Sequence, residues 1–267
     1  MLHRSIQLTQ TQHGALMDLH DVRAVVTGGA RGMGHTFVAS LLHEGARAFF
    51  CDVDPDAVAA ASAQLGAPGT VADVSSEADV ARLFDEAEAA FGAPVNVLIN
   101  NAGILRDGLL VRRDKHSGQV TRLSKAQWDA VIAVNLTGPF LCMRELAARV
   151  VERGAGPAVA VQMSSISRAG NRGQSNYSAA KAGLVADTRV WAQELAPYGI
   201  RVGAIAPGFI ETPMVASMRP EVLQKVIAPV PLQRLGRPDE IWQAIRFVIE
   251  CDYFTGRVVE VDGGLVL

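Results

Sequence analysis

The sequence predicts an α/β fold, a doubly wound parallel sheet built as a single domain in three layers. Three observations carry this. Short apolar runs alternate with helical patterns along most of the chain, which is how a parallel sheet with right-handed crossovers reads. The first such run, Val22 to Val26, opens directly into the glycine-rich Thr27 to Gly34 and then a helical pattern from His35 to Gly45. The 267 residues, 49% hydrophobic and 19% charged, suit one large core rather than two.

Strand, glycine turn and helix together make a phosphate site. Gly28, Gly32 and Gly34 allow a tight turn and close backbone approach to a pyrophosphate, and the following helix offers unpaired amides at its positive end. The spacing is G-x-x-x-G-x-G, distinct from the general G-x-G-x-x-G fingerprint. The second strand, Arg47 to Cys51, ends at Asp52, placed to accept hydrogen bonds from an adenosine ribose and to repel a 2′-phosphate. That favours NAD(H) over NADP(H), with Arg31 as the counter-argument.

A helix over 55–65 leads to the strand Thr70 to Val74, whose Asp73 could meet an adenine amine, and then to a helix over 76–91. Val95 to Ile99 is a buried strand opening into Asn100-Asn101-Ala102-Gly103, where small residues let a flat ring lie close to backbone. Residues 106–122 break the rhythm and predict a hairpin-like insertion. It carries Arg106, Arg112, Arg113, Lys115 and Arg122 against two aspartates. A solvated flap is one reading, and a docking surface for an anionic substrate handle is the sharper one.

The helix from Ser124 to Val151 contains Asn135, a polar amide among apolar neighbours with Gly138 and Pro139 just after, which predicts a local irregularity. Val159 to Val161 reads as a buried strand ending at Ser164, thirteen positions before Tyr177. Tyr177 and Lys181 stand four apart on one helix face, so the ammonium can reach toward the phenol and lower its pKa. The helix runs to about Pro197, and the strand Ile200 to Ile205 reaches Pro207-Gly208. Residues 209–234, with Thr212, Met214 and Met218, suit an adaptable lid. A last helix over 238–249 and a strand over 257–261 close the sheet. Residues 1–17 read as a flexible extension to the domain at 18–267.

The net charge of −2 gives no footprint for nucleic acid or anionic membrane, and no apolar run approaches the ~20 residues that span a bilayer. Three scattered cysteines indicate neither a disulfide framework nor a metal site, and fit a cytoplasmic setting.

Through TGGARGMG, Asp73-Val74, NNAG, Asn135, Ser164, YSAAK, PGFIET and DGG, the chain from about residue 18 resembles the short-chain dehydrogenase/reductase family. GQSNYSAAKAG, APGFIETPM and PLQRLGRPDEI look most similar to 3-oxoacyl-thioester reductases. The resemblance implies a Rossmann-type sheet and hydride transfer between a nicotinamide and a carbonyl or secondary alcohol. It implies Tyr177 as acid/base, Ser164 as the carbonyl-orienting hydroxyl, Lys181 on the phenol and the nicotinamide ribose, and Asn135 as anchor of a water leading to Lys181. Gly28, Arg31, Gly32, Met33 and Gly34 would hold the pyrophosphate side, Asp52 the ribose, and Asp73 and Val74 the adenine. Asn101, Ala102 and Gly103 would hold the cofactor's middle, and Pro207, Gly208, Ile210 and Thr212 its nicotinamide end.

The implied substrate is a small carbonyl compound, first a 3-oxoacyl thioester on CoA or acyl carrier protein; the alternative is a secondary alcohol or cyclic ketone. A reading of another class is a non-catalytic dinucleotide sensor, against which the complete Asn-Ser-Tyr-Lys set argues. The family also implies a homotetramer through the two long helices and the last strand. Two features depart from the usual acyl-carrier-protein reductase: the longer 106–122 excursion, and Asp52 where those reductases generally use NADP.

Overall fold

The computed structural model describes residues 17–212, 215 and 220–265. The expected extension lies outside them except for Met17, which is buried in the core rather than loose. Met214 and Met218 of the expected lid also lie outside.

The first strand, β1 (Arg23–Thr27), feeds helix α1 (Gly32–His43), and the alternation continues through β2 (Arg47–Asp52), α2 (Pro55–Leu65), β3 (Gly69–Val71), α3 (Glu77–Phe91) and β4 (Val97–Asn100). A small antiparallel hairpin follows, β5 (Val111–Arg113) with β6 (Val120–Arg122). Then come α4 (Lys125–Ile132), α5 (Gly138–Arg153), β7 (Ala158–Met163), α6 (Ser175–Leu195), β8 (Ile200–Pro207), α7 (Pro220–Ile227), α8 (Pro238–Glu250) and β9 (Val258–Val261).

Seven strands form one parallel sheet in the order β3-β2-β1-β4-β7-β8-β9. The order reverses between β1 and β4, which leaves a crevice at the carboxyl ends of those strands, where open α/β sheets bind ligands. This is the doubly wound sheet the alternation predicts.

Burial on both faces follows from the period of two along each strand. Ala24, Val26, Phe50, Val97, Ile99, Val159 and Val161 face one layer, packed with Phe37 and Leu41 of α1 and Ile245 and Val248 of α8. Val25, Phe49, Leu98, Ala158 and Ala160 face the other, with Leu83 and Phe84 of α3 and Leu146 of α5. One strand thus anchors two cores.

Local chemistry sets the helix ends. Asp54 caps α2 through the amides of Asp56 and Ala57, with Pro55 in the first turn and Gly66 left-handed at the end. Ser124 and Gln127 form a capping box on α4.

The irregularity expected near Asn135 is a π-turn, Ala133–Thr137, that separates α4 from α5. The composite rod Lys125–Arg153 is long and apolar enough to cross a bilayer by length and composition, unlike the sequence expectation. Half of its most apolar window is buried inside the fold, which is the pattern of a core helix.

Candidate active site

The crevice is built first from the glycine turn. Thr27 ends β1 with its hydroxyl accepting the amides of Asn101 and Ala102, both at 3.1 Å. Asn101 Nδ2 donates to the carbonyls of Thr27 and Gly28, each at 3.0 Å. The loops after β1 and β4 are therefore one unit.

Gly28 sits at φ +62°, and a Cβ there would lie 2.9 Å from the Ala102 backbone. A Cβ on Gly34 would stand 2.1 Å from the Gly28 carbonyl oxygen, closer than any side chain tolerates. At Gly32 a Cβ would meet no atom within 4 Å, so the outer side of the turn is open. No side chain caps α1, which leaves its first amides free to take an anion. A closed inner wall, an open outer side and a free helix start fit a dinucleotide's pyrophosphate.

Arg31 forms an ion pair with Asp54 rather than reaching across the turn. Met33 is half-buried and packs against the core. Asp52 ends β2 partly exposed beside this pair, its Oδ1 accepting weakly from the Asp54 amide at 3.4 Å. Asp73 is exposed, and its Oδ1 accepts from the Ser75 amide and hydroxyl at 2.9 and 2.7 Å. Val74 is buried against Gly138, where a Cβ would come within 2.7 Å.

Gly103 is exposed after β4. On the opposite rim Pro207 ends β8, the Gly208 amide donates to Val261 O at 2.9 Å, and buried Ile210 bridges to Gly236. Thr212 Oγ1 accepts from the Val215 amide at 3.5 Å.

The serine, tyrosine and lysine that the sequence singles out lie on the loop after β7 and on α6. Tyr177 is partly exposed in the first turn of α6, and the Ser165 side chain favours the ionised form of its phenol. Ser164 is buried and its Oγ donates at 2.8 Å to the backbone carbonyl of Lys181. Ser164 is thus engaged by α6, while Ser165, one residue further on, acts on the phenol. The strand's period of two explains the exchange: of two adjacent serines leaving β7, one turns into the α6 packing and the other toward the crevice. Counting thirteen positions back from Tyr177 selects the buried one, and the adjacent pair Ser164-Ser165 was the signal for the second.

Lys181 is buried, and its Nζ donates to Met163 O at 2.7 Å while lying 5.6 Å from the centre of the Tyr177 ring. Burial brings its pKa down to about 8. The phenol does not show the expected acidification. Burial pushes the Tyr177 pKa above its ordinary value, the Ser165 side chain opposes this, and the Asp107 carboxylate adds to the rise. The ammonium approaches the ring face and a backbone carbonyl rather than the phenol oxygen, so desolvation outweighs it.

Asn135 is fully buried in the π-turn; its Oδ1 accepts the Ile104 amide at 2.8 Å and its Nδ2 donates to Ile104 O at 3.0 Å. Its side chain pins the loop after β4 to the α4–α5 rod. Among the described residues, no cluster of three metal-ligating side chains occurs.

A dinucleotide crevice beside a tyrosine hydroxyl, a serine hydroxyl and a buried lysine defines a nicotinamide-dependent oxidoreductase. A family model described as enoyl-(acyl carrier protein) reductase matches residues 28–266. The chain is 37% identical over 263 residues to a (3R)-3-hydroxyacyl-CoA dehydrogenase of Canis lupus familiaris, covering 93% of this chain and 98% of the relative. It is 36% identical over 258 residues to the 3-oxoacyl-[acyl-carrier-protein] reductase FabG of Thermotoga maritima, covering 94% and 100%. An acetoacetyl-CoA reductase of Synechocystis is 36% identical over 251 residues, covering 92% and 97%. The chain belongs to the short-chain dehydrogenase/reductase family, and is an oxidoreductase acting on CH–OH and carbonyl groups.

Proposed function

We propose that this enzyme interconverts a 3-oxoacyl thioester and its 3-hydroxyacyl form, with NAD(H) favoured over NADP(H). The observation that carries the reading is Tyr177 with the buried Lys181 ammonium 5.6 Å from the centre of its ring, at the start of α6 beside the serines that follow β7. The names of the relatives support the thioester, since the three just described act on 3-hydroxyacyl, 3-oxoacyl or acetoacetyl carriers.

The nicotinamide supplies or takes the hydride at the carbonyl carbon when bound. Gly28, Gly32, Met33 and Gly34 would hold its pyrophosphate, with Arg31 kept at the rim by Asp54. Asp52 would take the ribose, Asp73 and Val74 the adenine, Asn101, Ala102 and Gly103 the middle, and Pro207, Gly208, Ile210 and Thr212 the nicotinamide end.

The chain's own groups handle the proton. Ser165 donates a hydrogen bond to the substrate's carbonyl oxygen and fixes its direction. Tyr177 gives its proton to that oxygen as negative charge develops there, and takes it back in the oxidative direction. Lys181 places a positive charge beside the phenol at neutral pH, and Asn135 keeps the β4 loop and the α4–α5 rod in register beneath. Ser164 belongs to the scaffold, holding α6 to the end of β7.

A carboxylate at Asp52 disfavours a 2′-phosphate, and this supports NAD(H). Trp128, Phe140, Val151 and Val190 expose apolar surface on the long helices α4 to α6, which supports a homotetramer assembled through them. A cytoplasmic setting is consistent with buried Cys51 and Cys142 as free thiols.

Steady-state kinetics with acetoacetyl-CoA and with a cyclic ketone, each with NADH and NADPH, test the assignment. Higher kcat/KM for the thioester with NADH is expected. A cyclic ketone preferred by orders of magnitude overturns the substrate, and a preference for NADPH overturns the cofactor.

A further inference from the structure

The β5–β6 hairpin is a charged structure whose charges are not balanced from within. Asp114 is committed to its turn: Oδ1 accepts from the Ser117 amide at 2.7 Å, the Ser117 hydroxyl at 2.9 Å and the His116 amide at 3.0 Å, which holds the carboxyl below its usual range. Asp107, at the base, accepts from Gln174 Nε2 at 2.9 Å. Among the described residues, no carboxylate lies within ion-pair distance of Arg112, Arg113, Lys115, Arg122 or Arg172. Like charges held together without partners repel each other.

These cations also surround a concavity. Arg112, Arg113, Lys115, His116 and Arg172 line a cleft of about 410 Å³ together with Leu109, Val111 and Asp114, whose carboxylate is occupied within its own turn. That volume falls within the range of small-ligand pockets, and arginine forks are suited to phosphate oxygens.

The cleft is fixed to the chemistry. The Gly108 amide donates to Gly173 O at 2.8 Å, and Asn176 Nδ2 donates to Arg106 O at 3.1 Å. Gly173 lies on the loop that enters α6, and Asn176 lies in the first turn of that helix. Arg172 is on that loop five residues before Tyr177, and five residues span at most ~18 Å of extended chain. A ligand with phosphates at one end and a reacting carbonyl at the end of a flexible arm could occupy both places.

We propose that this cleft binds the phosphoadenosine end of coenzyme A, with the basic side chains on the phosphates and Leu109 and Val111 against the base. The proposal rests on the thioester reading for its catalytic consequence, not for the binding site itself. Coenzyme A is favoured over an acyl carrier protein because the basic residues line one cleft of small-ligand size. A protein partner would need an extended patch of about 800 Å² per side.

The test uses the full chain with saturating nicotinamide cofactor, so that the dinucleotide crevice is filled. Free coenzyme A is titrated calorimetrically into the parent protein and into the triple variant Arg112→Gln, Arg113→Gln, Lys115→Gln. The parent protein should bind and the variant should bind at least about tenfold more weakly, with the difference shrinking at high salt. No binding to the parent, or equal binding to both, overturns the site whether or not thioesters are turned over.

Kinetics with acetoacetyl-CoA and the phosphate-free acetoacetyl-pantetheine provide the second arm. The variant should lose about tenfold or more in kcat/KM on the CoA ester alone. An equal loss on both esters means the hairpin acts through structure, and a loss seen only when acetoacetyl-acyl carrier protein is assayed alongside them assigns the charges to a protein partner; either result overturns the proposal. Turnover of neither ester by the parent protein refutes the thioester reading, while the titration still decides the cleft.

Discussion

At the level of single residues, the proposal gives two neighbouring serines different work, Ser164 in the packing of α6 and Ser165 at the substrate's carbonyl oxygen. Ser164→Ala removes a buried donor and leaves the Lys181 carbonyl with its intrahelical bond alone, costing about 1 kcal/mol of stability with a small effect on turnover. Ser165→Ala should leave the melting temperature near the parent value and lower kcat about 10²-fold, as loss of a single transition-state hydrogen-bond donor does. Thermal melts and kcat for the two variants check the division; a larger catalytic loss at Ser164 would reverse it.

Lys181 gives a second residue-scale expectation. Its pKa in the folded protein, about 8, lies below the usual 10.5, so the folded state releases this proton first as pH rises. Between those two values the unfolded chain binds more protons, and this residue's contribution to stability becomes more favourable with rising pH. Its charge beside the phenol is lost over the same window. Because Tyr177 stays protonated there, the reductive rate should fall as pH rises through about 8, while melting temperature gains a positive contribution from this residue. A reductive rate that climbs through pH 8 to 9 would contradict the assignment.

At the scale of elements, the strands and helices were readable because burial on both faces leaves continuous apolar runs, and Asp54, Ser76 and Ser124 mark helix starts. The break at Asn135 was readable from Gly138 and Pro139, but its form as a π-turn depends on Ile104, thirty-one residues earlier. The hairpin's existence followed from turn residues around Ser117-Gly118, whereas its attachment to the α6 loop is a tertiary fact that no local pattern encodes. Likewise, adjacency in sequence could not say which serine turns inward.

The glycine turn offers the element-scale test. Gly34→Ala places a methyl 2.1 Å from the Gly28 carbonyl oxygen, with Asn101 Nδ2 also within contact at 2.6 Å. The turn must move, at a cost of about 1–3 kcal/mol, and dinucleotide affinity should drop with it. Fluorescence titration with NADH and a denaturant melt measure both. Unchanged affinity would mean that this turn does not carry the cofactor.

For the whole molecule, strand order sets the function. The reversal between β1 and β4 brings the glycine turn, the Asn101 loop, the serine pair and Tyr177 to one edge from stretches far apart in sequence. The members of that set were legible as motifs; their electrostatics were not. Spacing alone suggested that Lys181 would acidify the phenol, but the folded environment supplies desolvation, which no spacing reports.

The account stands on Tyr177 as the group that gives and takes the substrate's proton. Single-turnover reduction of acetoacetyl-CoA by Tyr177→Phe, with NADH affinity measured on the same sample, tests it most directly. Parent-like NADH affinity with the hydride step slowed about 10³-fold or more is the predicted result. A hydride step within a few-fold of the parent rate would contradict it.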